Sequence, residues 1–288
     1  MKKLLVAFLS FTGFTAFSNA KTISYEARSA AKVEQLLAPL LTQHDPKKVL
    51  VLFDIDMTLT QTDHPAFYYK NLKKHYALVK ETLNALTPLA RDETLSATVY
   101  FPQKLTDSAF PGLIKTLQKH DVLCLALTSR LVGPLQPQDV PMEKHSYDTL
   151  KGFDIDFEKG WLFKEKDYFD LSRVLKKSYR KHFPTYYKGI LVNNGERGPY
   201  EKVDTLLAFL EYAWRVRPEV IVLIDDKKEN LEKMAKGLTT SNKVYPKDLP
   251  LFVGIHYKGA ENLETRPINE AGAKDFWQQC LQRACTTP

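Results

Sequence analysis

Three cysteines in 288 residues exclude a disulfide-built scaffold, since folds that depend on bridges carry a dense and even set. Cys124 falls in an apolar run and reads as a buried thiol. Cys280 and Cys285 could pair after export only if the last helix ends between them. Five residues along a continuous helix hold two Cα atoms about 8 Å apart, beyond the reach of a bridge. Glycine and proline are modest, at 12 and 16 residues, and no repeat or low-complexity tract is present, which excludes a solenoid and a disordered chain. Long apolar runs are also lacking. The run from Leu4 to Phe17 is short of the roughly 20 residues a membrane span needs, and no later stretch qualifies.

That run is informative for another reason. It follows Lys2 and Lys3 and leads into Ser18-Asn19-Ala20, small residues where a signal peptidase cuts. Residues 1–20 therefore read as a cleavable signal peptide of bacterial type, and the mature chain as periplasmic or secreted. The absence of a cysteine after the run argues against a lipoprotein. An uncleaved N-terminal anchor is the alternative. The formal charge of +7 falls by two without Lys2 and Lys3, and a mild basic excess suits anionic substrates and a solvated surface equally.

With 44% hydrophobic and 26% charged residues, the chain can bury one large core with an inserted lid. Helical spacing of Ala27, Ala30, Ala31, Leu37 and Leu41 predicts an amphipathic helix from Tyr25 to Leu41. Lys48–Phe53, Val122–Leu127, Ile190–Val192 and Val220–Ile224 are nearly continuous apolar runs, the pattern of strands buried on both faces; Leu251–Ile255 is a weaker one. Helical stretches at Gly112–Lys119, Val203–Val216 and Lys228–Ala235 lie between them, so the expected class is α/β with a central, mostly parallel sheet. The intervals 61–109 and 131–187 exceed a simple crossover, and a lid is expected from at least one. Within the second, Phe153–Phe157 reads as a loop or lid element and Glu158–Lys164 as a small hairpin.

Ligands of such sheets bind beyond the carboxyl ends of the strands. The first buried strand ends in Asp54-Ile55-Asp56-Met57-Thr58, the second in Thr128-Ser129-Arg130 and the one at Ile224 in Asp225-Asp226; Lys202 opens the preceding helix. A phosphate ester resists attack because it is anionic, so this chemistry needs its charge neutralised. Carboxylates of Asp54 with Asp225 or Asp226 suit a Mg²⁺ ion, and Asp54 can attack phosphorus to give an aspartyl-phosphate. Asp56 can protonate the leaving oxygen and later deprotonate water. Thr128 can donate to phosphoryl oxygens, and Lys202 can supply positive charge, with Lys188 as the competing lysine. Asp154-Ile155-Asp156 lacks the threonine and the apolar lead of the first motif.

Together, Asp54-x-Asp56-x-Thr58-Leu59, Thr128, Lys202 and Asp225-Asp226, each in its place after a strand or at a helix start, resemble the four motifs of the haloacid-dehalogenase-like superfamily. Pro111-Gly112 before the second strand resembles its usual lead-in. The stretches around Phe153–Phe157 and Gly189–Gly195 resemble a branch of exported bacterial members. The resemblance implies a Rossmann-like three-layer sandwich with an inserted, largely helical cap. It also implies Mg²⁺ bound by Asp54, the Asp56 backbone carbonyl and Asp226, with Asp225 acting through water. Asp56 and Asp225-Asp226 argue against the metal-free dehalogenase branch.

The expected function is an exported Mg²⁺-dependent phosphatase acting on a small phosphomonoester. The alternative is a secreted effector that uses the same fold to engage a protein partner with little or no catalysis. No nucleic-acid partner is expected: Lys176–His182 reads as a solvated helix face. The aromatic and basic cluster from His64 to Tyr76 reads as a helical lid packing its rings on the core, with substrate contact as the alternative. His64, His145 and His256 lack metal-ligand spacing.

Overall fold

Runs of Val, Leu and Ile without polar alternation are stable where both faces of a strand are covered, and they form the middle of the sheet here. The computed structural model of the chain describes residues 22–135, 139–158, 167–213, 217–241, 244–245 and 249–285. The order of elements is β1 (Thr22–Ala27), α1 (Ala30–Gln43), β2 (Val49–Phe53), β3 (Thr60–Thr62), α2 (Tyr69–Lys74), α3 (Tyr76–Asn84), α4 (Pro88–Ala97), β4 (Gln103–Leu105), α5 (Phe110–Lys119) and β5 (Leu123–Thr128). It continues with α6 (Met142–Gly152), β6 (Tyr168–Asp170), β7 (Thr185–Tyr187), β8 (Ile190–Val192), α7 (Lys202–Ala213), β9 (Val220–Asp225), α8 (Lys228–Thr239), β10 (Leu251–Tyr257) and α9 (Glu270–Cys285).

Eight strands form one sheet in the order β1-β10-β9-β2-β5-β8-β7-β6. The first six are parallel, and β7 and β6 add an antiparallel edge. Strand alternation divides the core into two layers. Val51, Phe53, Cys124, Val222 and Ile224 pack under α1 and α5, whereas Leu50, Leu52, Leu125, Ile221 and Leu223 pack under α7 and α8. The fold is thus a Rossmann-like three-layer α/β/α sandwich with a mostly parallel sheet.

Residues 61–109 leave and rejoin this body through a small antiparallel ribbon, β3 paired with β4. Between its strands, α2, α3 and α4 form a helical layer whose apolar side meets α9: Ala66, Leu83, Ala97 and Val99 cluster with Ala273, Phe276, Trp277 and Cys280. The ring of Phe67 lies 6.4 Å from that of Phe276 and 6.2 Å from that of Trp277, centroid to centroid. Of the 64–76 cluster, His64 and Phe67 are therefore anchored to the C-terminal helix, whereas Tyr69 and Tyr76 are exposed. Among the described residues, the 131–187 interval instead extends the main sheet with β6 and β7 and covers it with α6.

Several local expectations are corrected. Tyr25 belongs to a strand, not a helix: residues 22–27 pair in parallel register with β10, Tyr25 opposite Ile255. Alternating β-formers Ile23 and Tyr25 favour that state, and α1 starts only where Ser29 accepts a bond from the backbone N–H of Lys32 at 3.2 Å. Tyr179–His182 is a tight turn rather than a helix face, with Arg180 and Lys181 both at positive φ and the backbones of Tyr179 and His182 bonded to each other. α9 runs unbroken to Cys285, so the geometry needed for a Cys280–Cys285 bridge is not met, and Cys280 is a buried free thiol like Cys124. Phe153–Phe157 forms a turn and loop whose Ile155 and Phe157 enter the core beside Phe53. Residues 1–20 and all of Glu158–Lys164 except Glu158 lie outside the described residues. No helix among the described residues is long and apolar enough to cross a membrane.

The β7–β8 connection depends on backbone freedom. Lys188 and Gly189 have φ of 46° and 85°, as a two-residue hairpin turn of the right twist requires. A Cβ on Gly189 would stand 2.5 Å from the Cβ of Phe157 and 2.6 Å from its carbonyl. Gly189→Ala is expected to cost about 1–3 kcal/mol in urea unfolding. An unchanged urea midpoint would contradict this account of the turn.

Candidate active site

β2 delivers Asp54 to the carboxyl edge of the sheet, and the backbone N–H of Asp54 extends the ladder by donating to the Ile224 carbonyl at 2.9 Å. Beyond it the chain turns sharply. The Ile55 carbonyl accepts from the amides of Leu59 and Thr60, and Met57 takes φ of 61°. This turn places Asp56 at the edge of the site and returns Thr58 beneath it. The Thr58 hydroxyl donates to Asp54 Oδ2 at 3.4 Å and accepts from the backbone N–H of Asp226 at 3.1 Å, joining the ends of β2 and β9.

Between those ends stands Lys202, the first residue of α7. Its Nζ donates to Asp54 Oδ1 at 2.6 Å and to Asp225 Oδ2 at 2.7 Å, and all three side chains are buried. Lys188 is elsewhere, near Glu158 and Asp167 at the β7–β8 turn. Asp225 is saturated: Oδ1 accepts from the backbone N–H of Lys227 and from Asn230, and Oδ2 from Lys202 and Asn230. Asp226 differs, because its carboxylate accepts no hydrogen bond from a described residue. The backbone carbonyl of Asp226 is held by His256 Nε2 at 2.9 Å.

Asp56 is gripped from the other side. Arg130 presents Nε and Nη2 to its two oxygens at 2.9 and 2.8 Å, a two-point fork. The third arm of that guanidinium donates to Ser146 Oγ on α6 at 2.8 Å, which fixes the fork. Thr128 sits one layer back. It is fully buried, and its hydroxyl accepts from the backbone N–H of Arg130 at 3.2 Å. Ser129 rather than Thr128 faces the cavity among the described residues.

The electrostatics follow from burial and sign. Burial, with the charges of Asp225 and Asp56, pushes the Asp54 carboxyl up to about 7 against the pull of Lys202. Burial and the neighbouring carboxylates of Asp54 and Asp225 push Asp226 well above the usual carboxylate range. Burial opposes the charge on Lys202, yet Asp225 and Asp54 outweigh it and hold its proton more tightly than usual. Asp56 also resists ionisation through burial, but the Arg130 fork overcomes this and keeps it below the ordinary value.

One oxygen each of Asp54, Asp225 and Asp226 lies within 4.8 Å of the others. Four carboxylates face Lys202 and Arg130, while the nearby Lys227 is engaged by Glu196. This acidic excess and the unbonded Asp226 carboxylate suit a hard divalent cation.

A cavity of about 600 Å³ opens above these groups. Its floor holds Asp54, Asp56, Lys202 and Asp226, and its roof comes from α2, α3, α4 and the segment after α4. Asp92 on α4 joins roof to body: it accepts from the Arg197 backbone N–H at 3.0 Å, from Arg197 Nη1 at 3.1 Å and from the Tyr179 hydroxyl at 3.2 Å. Its neighbour Glu93 accepts from Arg180 Nε at 2.9 Å.

Arg130, Asn230, Asp92 and His256 carry parts of this site that the motif reading leaves without a role. Arg130 stands at a strand end and Asn230 in the first turn after Asp225-Asp226, positions that a search of strand ends reaches. Asp92 and His256 have no local pattern, since one crosses from the cap and the other from the neighbouring strand.

A family model for a protein of unknown function (DUF2608) matches residues 29–282. The chain is similar to an uncharacterized protein of Rickettsia bellii (strain RML369-C), 23% identical over 225 residues that cover 75% of this chain and 70% of the relative. It is also similar to the uncharacterized protein RC0398 of Rickettsia conorii (strain ATCC VR-613 / Malish 7), 26% identical over 199 residues, and to an uncharacterized protein of Rickettsia felis (strain ATCC VR-1525 / URRWXCal2), 24% identical over 200 residues. These two matches cover 65% of this chain and 62% and 63% of the respective relatives. Because the matched span takes in both layers of the sandwich, the cap and every residue of the site, the chain as a whole belongs to the DUF2608 family.

Proposed function

We propose that the protein is an exported, metal-dependent phosphohydrolase of the haloacid-dehalogenase-like type, acting on phosphomonoesters with Asp54 as the nucleophile. One observation carries the reading: Asp54, Lys202 and Asp225 are hydrogen-bonded at the carboxyl ends of adjacent parallel strands, with Asp226 beside them, on the floor of a capped cavity. The N-terminal pattern of residues 1–20 supports export.

A divalent cation such as Mg²⁺, held by Asp54, Asp226 and the Asp56 carbonyl, supplies charge neutralisation for the phosphoryl oxygens when bound. The chain supplies the rest. Lys202 aims one oxygen of Asp54 and adds fixed positive charge beside it, while Asp225, locked by Asn230 and the Lys227 amide, aims Lys202. The other oxygen of Asp54, Oδ2, attacks phosphorus, a P–O bond forms to the carboxylate, and the ester P–O bond breaks. Asp56 stands within reach of the departing oxygen. Ionised by Arg130 in the resting state, it takes up a proton from solvent as a phosphomonoester dianion arrives beside it, because a like charge disfavours its own, and returns one to solvent when phosphate leaves. It then protonates the leaving alkoxide. In the second half it accepts the proton of a water that attacks the aspartyl-phosphate, releasing inorganic phosphate and regenerating Asp54.

Hydrolysis of a generic aryl phosphate by the mature protein is expected to require a divalent cation, to stop with EDTA and to be lost in Asp54→Asn. Turnover that survives in Asp54→Asn would refute the nucleophile assignment. In Arg130→Lys the cation remains but the fork does not, so kcat is expected to fall about 10- to 100-fold with KM little changed. An unaltered kcat would remove Arg130 from the mechanism. Asp226→Asn relieves one buried repulsion, so the metal-free variant is expected to melt a few degrees higher than wild type and to lose the rise in Tm that Mg²⁺ gives the wild-type protein. An equal Mg²⁺ response in both proteins would place the cation elsewhere.

A further inference from the structure

The two ends of the cavity differ in kind. Its floor is charged, as described above. Its roof carries three rings and three aliphatic side chains, Phe67, Tyr69, Leu72, Tyr76, Leu95 and Val99, with Lys73, Asp92, Ser96 and Thr98 interspersed. Tyr69 and Tyr76 are 38% and 62% exposed and stand toward the outside. Leu95 and Val99 come from the other side of the cap, on α4 and the turn after it.

Two polar groups in the same roof, Asp92 and Thr98, are already committed, while Lys73 and Ser96 also line it. Asp92 is occupied by Arg197 and Tyr179. The Thr98 hydroxyl donates to the Leu95 carbonyl, and the Thr98 carbonyl accepts from the Thr62 hydroxyl at 2.9 Å. A polyhydroxylated alcohol entering here would surrender several hydrogen bonds to water for the few that Lys73, Ser96 and the tyrosine hydroxyls offer, a loss of the kind that disfavours burial of unpaired polar groups. A ring would lose nothing comparable. It would gain contact with aliphatic side chains on one side and aromatic faces on the other. The volume of about 600 Å³ is of the size that encloses small-molecule ligands, so there is room for a fused ring above the phosphoryl group. A flexible alkyl chain would gain the same apolar contact but lose more rotational freedom on ordering than a rigid ring.

We propose that the alcohol portion of the substrate is aromatic, a one- or two-ring group seated against Leu95, Val99 and Phe67 with Tyr69 and Tyr76 at its outer edge. This rests on the phosphohydrolase reading of the floor and deepens it by naming the substrate class; sugar and glycerol phosphates are disfavoured by the roof.

The test compares three monoesters that each release a primary alcohol, so that leaving-group reactivity is matched: 2-naphthylethyl phosphate, glycerol 1-phosphate and decyl phosphate. Steady-state rates are measured on the mature protein with Mg²⁺, and the affinities of the corresponding non-hydrolysable phosphonates are measured by calorimetric titration of the same protein. The naphthyl ester is expected to have a KM about 10- to 100-fold below that of glycerol phosphate, as burying one large apolar group implies. Decyl phosphate is expected to fall between them. Leu95→Ser and Tyr76→Ala are expected to raise the KM of the naphthyl ester more than that of glycerol phosphate, eroding the naphthyl advantage. Tyr76 is largely exposed, so its variant tests the rim without threatening the fold.

Equal KM values for naphthyl and glycerol esters, or a naphthyl advantage untouched by both variants, would overturn the inference while the phosphohydrolase reading stands. Decyl phosphate matching the naphthyl ester would overturn the aromatic assignment. If none of the esters is hydrolysed, the reading of the floor fails on its own. The phosphonate titrations then decide the roof, with tighter naphthyl binding supporting it and equal binding overturning it.

Discussion

Lys202 is buried between Asp54 and Asp225, and the arrangement of the site depends on that shared cation. A lone ammonium in this position would lose its proton, and two lone carboxylates would gain one, because burial disfavours each charge separately. Together the carboxylates keep Lys202 charged, while Lys202 opposes, without cancelling, the burial that raises the Asp54 carboxyl. Removing one partner of such a buried set costs several kcal/mol, since it leaves the others uncompensated. The lysine therefore does structural and electrostatic work at once: it ties the start of α7 to the ends of β2 and β9 and points an oxygen of Asp54.

Around this triad the fold adds a second grip and a cover. Arg130, anchored by Ser146, holds Asp56 across from it. The cap rises from the β3–β4 ribbon directly after the Asp54 turn, so the segment that roofs the cavity begins six residues beyond the proposed nucleophile. Its outer side is bound to α9 through Phe276 and Trp277, and its inner side is latched by Asp92 and Glu93 to the loops that carry Arg180 and Arg197. The cap is thus held from two directions, and its apolar inner wall is a consequence of where α4 and α2 are pinned.

Much of this was legible along the chain, for identifiable reasons. Val49–Phe53 and Val220–Ile224 announce themselves because strands buried on both faces tolerate no polar residue, and Asp54 and Asp225-Asp226 stand out where those runs stop. At Tyr25 the local pattern misleads, because Ala27, Ala30 and Ala31 satisfy a helical count whereas the backbone partner that makes residues 22–27 a strand, β10, lies more than 220 residues away. The Lys176–His182 segment looked like a helix face for the same reason: charge spacing is local, but the positive φ values of Arg180 and Lys181 are stabilised by contacts of Arg180 with Glu93, Val132 and Pro134. Nothing near Asp92 or His256 in sequence marks them as neighbours of the site.

By itself, then, the sequence determined the α/β class, the strands at the centre of the sheet, and the acidic residues and lysine at their ends, because each follows from short-range patterns of burial and polarity. The tertiary structure alone decided that Lys202 rather than Lys188 meets Asp54, that Arg130 clamps Asp56, that no described residue bonds the Asp226 carboxylate, and that rings and aliphatic groups contribute to the roof of the cavity. Those are matters of distance between segments remote in the chain. A hydrogen bond or an ion pair is decided within a fraction of an ångström, and residue spacing carries no such information.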